Sequence, residues 1–206
     1  MKRQGRARRA AICELCPAGE VIVDVGADHG HVAAELGAIA TERHPHIIQR
    51  SDVRWVVADG LRPFRRVDVA IIAGMGALTI AGILEAGPRP AAAVLHAQDD
   101  PIALRRWLAA NGWRIEAESL APEAGRYAEI LRVIPGREAA TGLVLDVGPR
   151  LLEQGHPLLI AHLTQLLGHH RRLAEVTRPH DAGKHSRFQS MADFLAAQLS
   201  ERRGSG

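Results

Sequence analysis

Aromatic residues are scarce in this chain, with three Phe, three Trp and one Tyr among 206 residues. Stacking platforms for a flat ligand are correspondingly few. Phe64, Trp107, Trp113 and Tyr127 are the candidates, and core packing is the better-founded role for the two tryptophans. Cysteine is scarcer still. Cys13 and Cys16 form one CxxC pair, with no second pair to complete a zinc site. They fall in an Arg- and Ala-rich helical segment, where residues three apart share a face, and packing is their expected role. No apolar run approaches the roughly 20 residues of a membrane span. The basic N-terminus lacks the apolar stretch of a signal peptide, so a cytoplasmic protein with no membrane partner is expected. Nothing in the sequence demands an oligomer, and a monomer is favoured.

What remains is a globular composition, 47% hydrophobic, long enough for one full domain and a small extension. The net charge is +3, but acids are missing from the first ten residues, which carry Lys2, Arg3, Arg6, Arg8 and Arg9. Residues 150–203 are also net basic, and the middle is acidic. Basic ends flanking an acidic middle suggest contact with a polyanion. The alternative is a tail that only aids solubility.

Residues 21–31, VIVDVGADHGH, carry the most information. An apolar run, an acid, a glycine, a second acid and a second glycine read as strand, tight turn and helix start. Here too something is missing. A dinucleotide site would read GxGxxG, whereas the order is Gly26-Ala27-Asp28-His29-Gly30, without the middle glycine. A pyrophosphate is thereby disfavoured. S-adenosylmethionine, with a carboxylate, an ammonium and a ribose but no phosphate, fits better.

The chain then alternates between apolar runs and helical segments. A helix is expected over residues 4–16, and strands over 21–25, 37–42, 54–58, 67–73 and 92–97. Helices are expected over 31–36, 78–86 and 101–111, followed by a closing antiparallel pair at 113–119 and 127–134. The fold class is therefore α/β: a Rossmann-like, seven-stranded, doubly wound sheet. Gly74-Met75-Gly76 is expected to turn from the fourth strand into a helix. Pro135-Gly136 marks a boundary, giving domains 1–136 and 137–206. Helical spacing at 151–167 and 191–199, around a polar 177–189 segment, suggests an α-helical hairpin ending in a disordered tail over 201–206.

This layout places candidates at the carboxyl ends of strands, where open α/β sheets bind ligands. Asp24, Gly26, Asp28, His29 and Gly30 follow the first strand. Glu42 closes the second, at the interval from Asp24 at which an acid grips a ribose. Asp59 and Gly60 follow the third, where an acid can accept from an adenine amino group. Gly74, Met75 and Gly76 follow the fourth, where methyl donor and acceptor should meet. A rival reading makes Asp28, His29, His31, His44 and His46 a metal site. It is weakened because Asp28 and His29 sit inside the glycine turn.

The chain resembles the bacterial tRNA (adenine-22-N1)-methyltransferases (TrmK-like), a class I S-adenosylmethionine-dependent family. The family's DIGSDH is matched by Asp24-Val25-Gly26-Ala27-Asp28-His29, and its DGL by Asp59-Gly60-Leu61. Its IAGMGG and ILEAG are matched by residues 72–77 and 83–87, and its IREWL-like stretch by residues 103–108. Its VGP is matched by Val147-Gly148-Pro149. Departures are Ala77 for a glycine, His96-Ala97-Gln98 for Gln-Pro-Asn, Ala128 for an aromatic, and a shortened segment after Glu42. The resemblance implies methyl transfer to N1 of an adenine in tRNA, with Asp28 as the catalytic acid beside the transferred methyl. Asp28 could instead only hold the methionine ammonium or cap the next helix. Methylation of another RNA or a small molecule, or a degenerate RNA-binding relative, are the alternatives.

Overall fold

The computed structural model describes residues 4–48 and 50–204. Helix α1 (Gln4–Leu15) precedes strand β1 (Ile22–Val25), helix α2 (His31–Leu36) and strand β2 (Ile39–Glu42). One 3-10 turn at Pro45–Ile47 replaces a helix before β3 (Arg54–Val57). Then come β4 (Val69–Met75), α3 (Ala77–Ala86), β5 (Ala92–Ala97), α4 (Pro101–Ala110), β6 (Trp113–Glu123) and β7 (Arg126–Pro135). Four shorter or terminal helices follow: α5 (Gly142–Val147), α6 (Pro149–Gln154), α7 (Leu159–Thr177) and α8 (Ala182–Gly204).

The seven strands form one sheet in the order β3-β2-β1-β4-β5-β7-β6. Strands β1 to β5 are parallel, and β7 joins β5 antiparallel before pairing with β6. The chain order reverses between β1 and β4, so their carboxyl ends flank the crevice at which such sheets bind ligands. The central strands read as continuous apolar runs because both faces are covered. On one face, Val23, Ile72 and Leu95 pack with Ile80 and Leu84 of α3 and Leu104 and Leu108 of α4. On the other, Ile71, Val94 and Ile130 pack with Ala11 and Ile12 of α1.

Helix starts follow local chemistry. Asp100 accepts from the Ala103 N–H at 2.9 Å, with Pro101 at the first helical position. Asp99 caps α3 from outside the helix, accepting from the Ala77 N–H at 2.9 Å. Asp181 accepts from the Lys184 N–H at 2.9 Å and starts α8.

Several expectations need correction. Strand β4 runs through Gly74 and Met75, with a register shift between Ala73 and Met75, so only Gly76 is the turn into α3. Most of the 177–189 segment is helical, because the Asp181 cap starts α8 at Ala182. The expected 151–167 helix is interrupted between α6 and α7, at Gly155, with φ +65°, and Pro157. Residues 201–204 belong to α8 rather than to a disordered tail, while 205–206 lie outside the described residues.

The chain divides into two compact units, Met1–Gln154 and Gly155–Gly206, later than the boundary expected at 136. The reason is ionic. Arg150 of α6 donates its side chain to the Ile115 carbonyl of β6 at 2.8 Å, and its backbone N–H to the Glu118 carboxylate of β6 at 2.8 Å. Arg106 of α4 grips Asp146 of α5 at 2.6 and 2.7 Å. These bonds tie α5 and α6 to the sheet unit. In the second unit α7 and α8 pack on each other, with Leu159, Leu163, Met191, Leu195 and Leu199 buried.

Candidate cofactor site

A cavity of about 390 Å³ opens at the carboxyl ends of β1 and β4. Its wall combines the turn after β1 (Asp24, Gly26, Asp28 and His29), the end of β4 (Ala73 and Gly74), the start of α2 (His31) and Arg8 and Arg9 of α1.

The turn is built tightly. The Gly26 and Ala27 N–H groups donate to the Thr41 carbonyl of β2 at 2.9 and 3.2 Å. Gly26 has φ +64°, and a Cβ there would overlap the terminal methyl of Met75. The left-handed φ requires glycine, and a Cβ would in addition displace the Met75 methyl. A Cβ on Gly30 would lie 2.8 Å from the Trp55 ring, which explains the second glycine.

Asp24 is the buried charge of the site, 5% exposed. One of its oxygens accepts from the Ala33 N–H of α2 at 3.1 Å. Burial pushes its carboxyl up to about 7, with the Ala33 bond opposing the rise. A carboxylate kept this dry is poised to gain from a cationic or hydroxyl-bearing ligand. Asp28 differs: its side chain is 72% exposed and its backbone has φ +49°. His29 stands 3.8 Å from it. The site thus offers one buried and one open acid, with Arg8 and Arg9 as cations. Arg8 is ion-paired with Glu123 of β6, and Arg9 lies 3.9 Å from Glu35.

The structure brings Asp24, Gly26, Asp28, His29 and Gly74 together on the cavity wall. Gly30, Glu42, Asp59, Gly60, Met75 and Gly76 are placed around it instead. Glu42 closes β2 and accepts from the Arg43 N–H at 2.9 Å. Asp59 is half-exposed, pairing with Arg62 at 3.1 Å and Arg43 at 3.6 Å. Gly60 packs under Ile83. Gly76 holds the start of α3, where a Cβ would meet the Asp99 carboxylate at 2.8 Å.

Sequence reasoning missed Arg8 and Arg9 as cavity residues. They were grouped with the basic N-terminus, and only the packing of α1 across the sheet brings them here. Of that group, Arg3 lies outside the described residues and Arg6 is exposed. The Cys13 thiol is pushed up to about 12 by burial and by Glu35, which disfavours the reactive thiolate.

S-adenosylmethionine fits these residues: a buried acid and an open acid suit its ammonium and hydroxyls, and Arg8 and Arg9 suit its carboxylate. The glycine turn admits close approach without offering the three-glycine cradle of a pyrophosphate. A 3-2-1-4-5-7-6 sheet with this site at its switch point defines a class I S-adenosylmethionine-dependent methyltransferase domain.

Comparison with known proteins narrows the class. The profile of the tRNA (adenine(22)-N(1))-methyltransferase family, TrmK, matches residues 38–199. The chain belongs to that family. A Bacillus subtilis tRNA (adenine(22)-N(1))-methyltransferase is 28% identical over 198 residues, spanning 82% of this chain and 83% of that one. A Streptococcus pneumoniae protein solved in complex with S-adenosyl-L-methionine superposes with TM-score 0.77 at 25% identity, over 93% of this chain and 98% of its own. The fold is also shared with M. capricolum TrmK bound to S-adenosyl-homocysteine, at TM-score 0.76 and 16% identity, covering 94% of this chain and 96% of that one. Among the described residues, no helix is long and apolar enough to cross a membrane.

Proposed function

We propose that this chain methylates N1 of an adenine in tRNA, using S-adenosylmethionine held in the cavity beneath the Gly26 turn. The observation that carries the reading is the buried Asp24 carboxylate beside a left-handed glycine at the β1/β4 switch point. When bound, S-adenosylmethionine supplies an electrophilic methyl group on a sulfonium.

The chain's own residues perform the rest. Asp24 would accept from the cofactor's ammonium or a hydroxyl, and Arg8 and Arg9 would hold its carboxylate. Gly26 keeps the backbone low enough for close approach. Asp28, open to solvent at the mouth, orients the adenine amino group and stabilises the positive charge that develops as N1 is alkylated. No strong base is required, because N1 already carries a lone pair, so positioning supplies much of the rate. Glu42 and Asp59 extend the site toward a ribose and an adenine at the neighbouring strand ends. The exposed Arg6, Arg171 and Arg172, together with Arg3, meet tRNA phosphates.

The test is methyl transfer from labelled S-adenosylmethionine to tRNA, with the product nucleoside identified by mass spectrometry and mapped by primer extension. Methylated adenine at a single tRNA position supports the reading. Cofactor binding without transfer to tRNA would instead make the chain a non-catalytic relative or an enzyme for another acceptor.

A further inference from the structure

His96 is 2% exposed near the end of β5 and lies between the Glu129 carbonyl of β7 and the Glu123 carboxylate of β6. Its Nδ1 lies 3.1 Å from the Glu129 carbonyl. A carbonyl oxygen only accepts, so Nδ1 carries the hydrogen, and Nε2 of a neutral ring is a bare acceptor. Nε2 faces Glu123 Oε2 at 3.9 Å, and both atoms are buried without a hydrogen-bond partner. Arg126 Nη2 lies 3.8 Å from that oxygen. The other Glu123 oxygen accepts from Arg8 Nη1, and Arg8 lines the cavity. One line of contacts therefore joins β5, β6, α1 and the cofactor site.

We propose that Glu123 and His96 are positioning residues for Arg8, with Glu123 holding the guanidinium at the cavity wall and His96 holding Glu123. The proposal rests on reading the cavity as the cofactor site. Arg8 is 31% exposed on its side chain, and a long stem at that exposure samples many rotamers unless tied. Glu123 ties it with one oxygen. The second oxygen faces His96 Nε2 at 3.9 Å, so the buried imidazole walls one side of the carboxylate. That wall restricts rotation of the carboxylate plane and leaves the first oxygen on Arg8. The groups facing His96 are Glu123 of β6, Arg126 and the Glu129 carbonyl of β7, and Arg8 of α1.

The test is a set of double-mutant cycles on the full chain. Calorimetry gives the Kd for S-adenosylhomocysteine, and methyl transfer at saturating cofactor gives kcat. Arg8→Ala and Glu123→Gln are each expected to raise Kd about tenfold, the loss of one charge-assisted bond. The double variant should be no weaker than Arg8→Ala alone. His96→Leu should raise Kd several-fold alone and have no effect beside Glu123→Gln. His96→Gln, whose amide can donate to Glu123, should retain most of the affinity and guards against a folding artefact. The His96 and Glu123 variants should keep kcat within about twofold.

Additive effects of Arg8→Ala and Glu123→Gln would overturn the proposal while leaving the cofactor reading intact. So would variants that lose kcat without raising Kd. Failure of the unaltered protein to bind the probe would overturn both.

Discussion

Replacing Asp24 by Asn should make the ligand-free protein more stable and the site weaker at once. The carboxyl is raised from 3.8 to about 7, mainly by burial. An acid whose folded value is raised costs stability as pH climbs. The unfolded chain releases the proton above about pH 4 and the folded chain releases it only near 7, so the penalty grows through that window and is constant above it. At about 1.4 kcal/mol per tenfold in proton affinity, the full penalty is roughly 4 kcal/mol. Asn keeps an oxygen for the Ala33 N–H and has no charge to desolvate. Part of the gain is offset by its buried amide N–H groups. For a folding unit of this size each kcal/mol moves Tm by about 2–4 °C. The expected result is a Tm about 5–10 °C above the parent at pH 8, with the gap closing by pH 4.5. Calorimetric titration should show S-adenosylmethionine binding weakened by about ten- to a hundredfold, because a charged hydrogen bond is lost. A Tm gap equal at both pH values, or none at pH 8, would refute the picture of a strained acid reserved for a ligand.

Other perturbations probe other links. Gly26→Val should abolish cofactor binding by calorimetry, since the β-branched side chain collides with Met75 and resists φ +64°. Asp28→Asn should lower kcat at least about tenfold in tRNA methylation with cofactor Kd nearly unchanged; a Kd effect alone would assign Asp28 to binding. Arg105→Ala should cost about 3–5 kcal/mol in urea unfolding. Its guanidinium is fully buried, 2.7 Å from both Glu118 and Glu129, and its loss strands two buried acids. Neutralising Arg3, Arg6, Arg171 and Arg172 together should weaken tRNA binding and flatten its salt dependence in filter-binding assays. An unchanged salt slope would leave those arginines a solubilising role.

Much of this protein is determined by the sequence alone, and the reason is periodicity. Runs such as residues 69–72 and 92–95 are apolar at every position, which suits a strand covered on both faces, so the parallel sheet was legible. Gly26 and Asp24 were legible because a left-handed turn needs glycine and a strand-end acid has few structural uses. Local signals were also present for α8, in the Asp181 cap, but a polar stretch around it reads equally well as a loop. Other features have no local signal at all. Arg8 reads as one charge in a basic tail until α1 crosses the sheet and carries it to the cavity. The α5–α6 segment reads as the start of a separate domain until Arg106 reaches Asp146 and Arg150 reaches Glu118, both far away in the chain. The burial that lifts the Asp24 carboxyl is likewise a sum over neighbours from α1, α2 and β4. Pairing between distant residues sets these, and a sequence pattern records the period of each element without recording its partner.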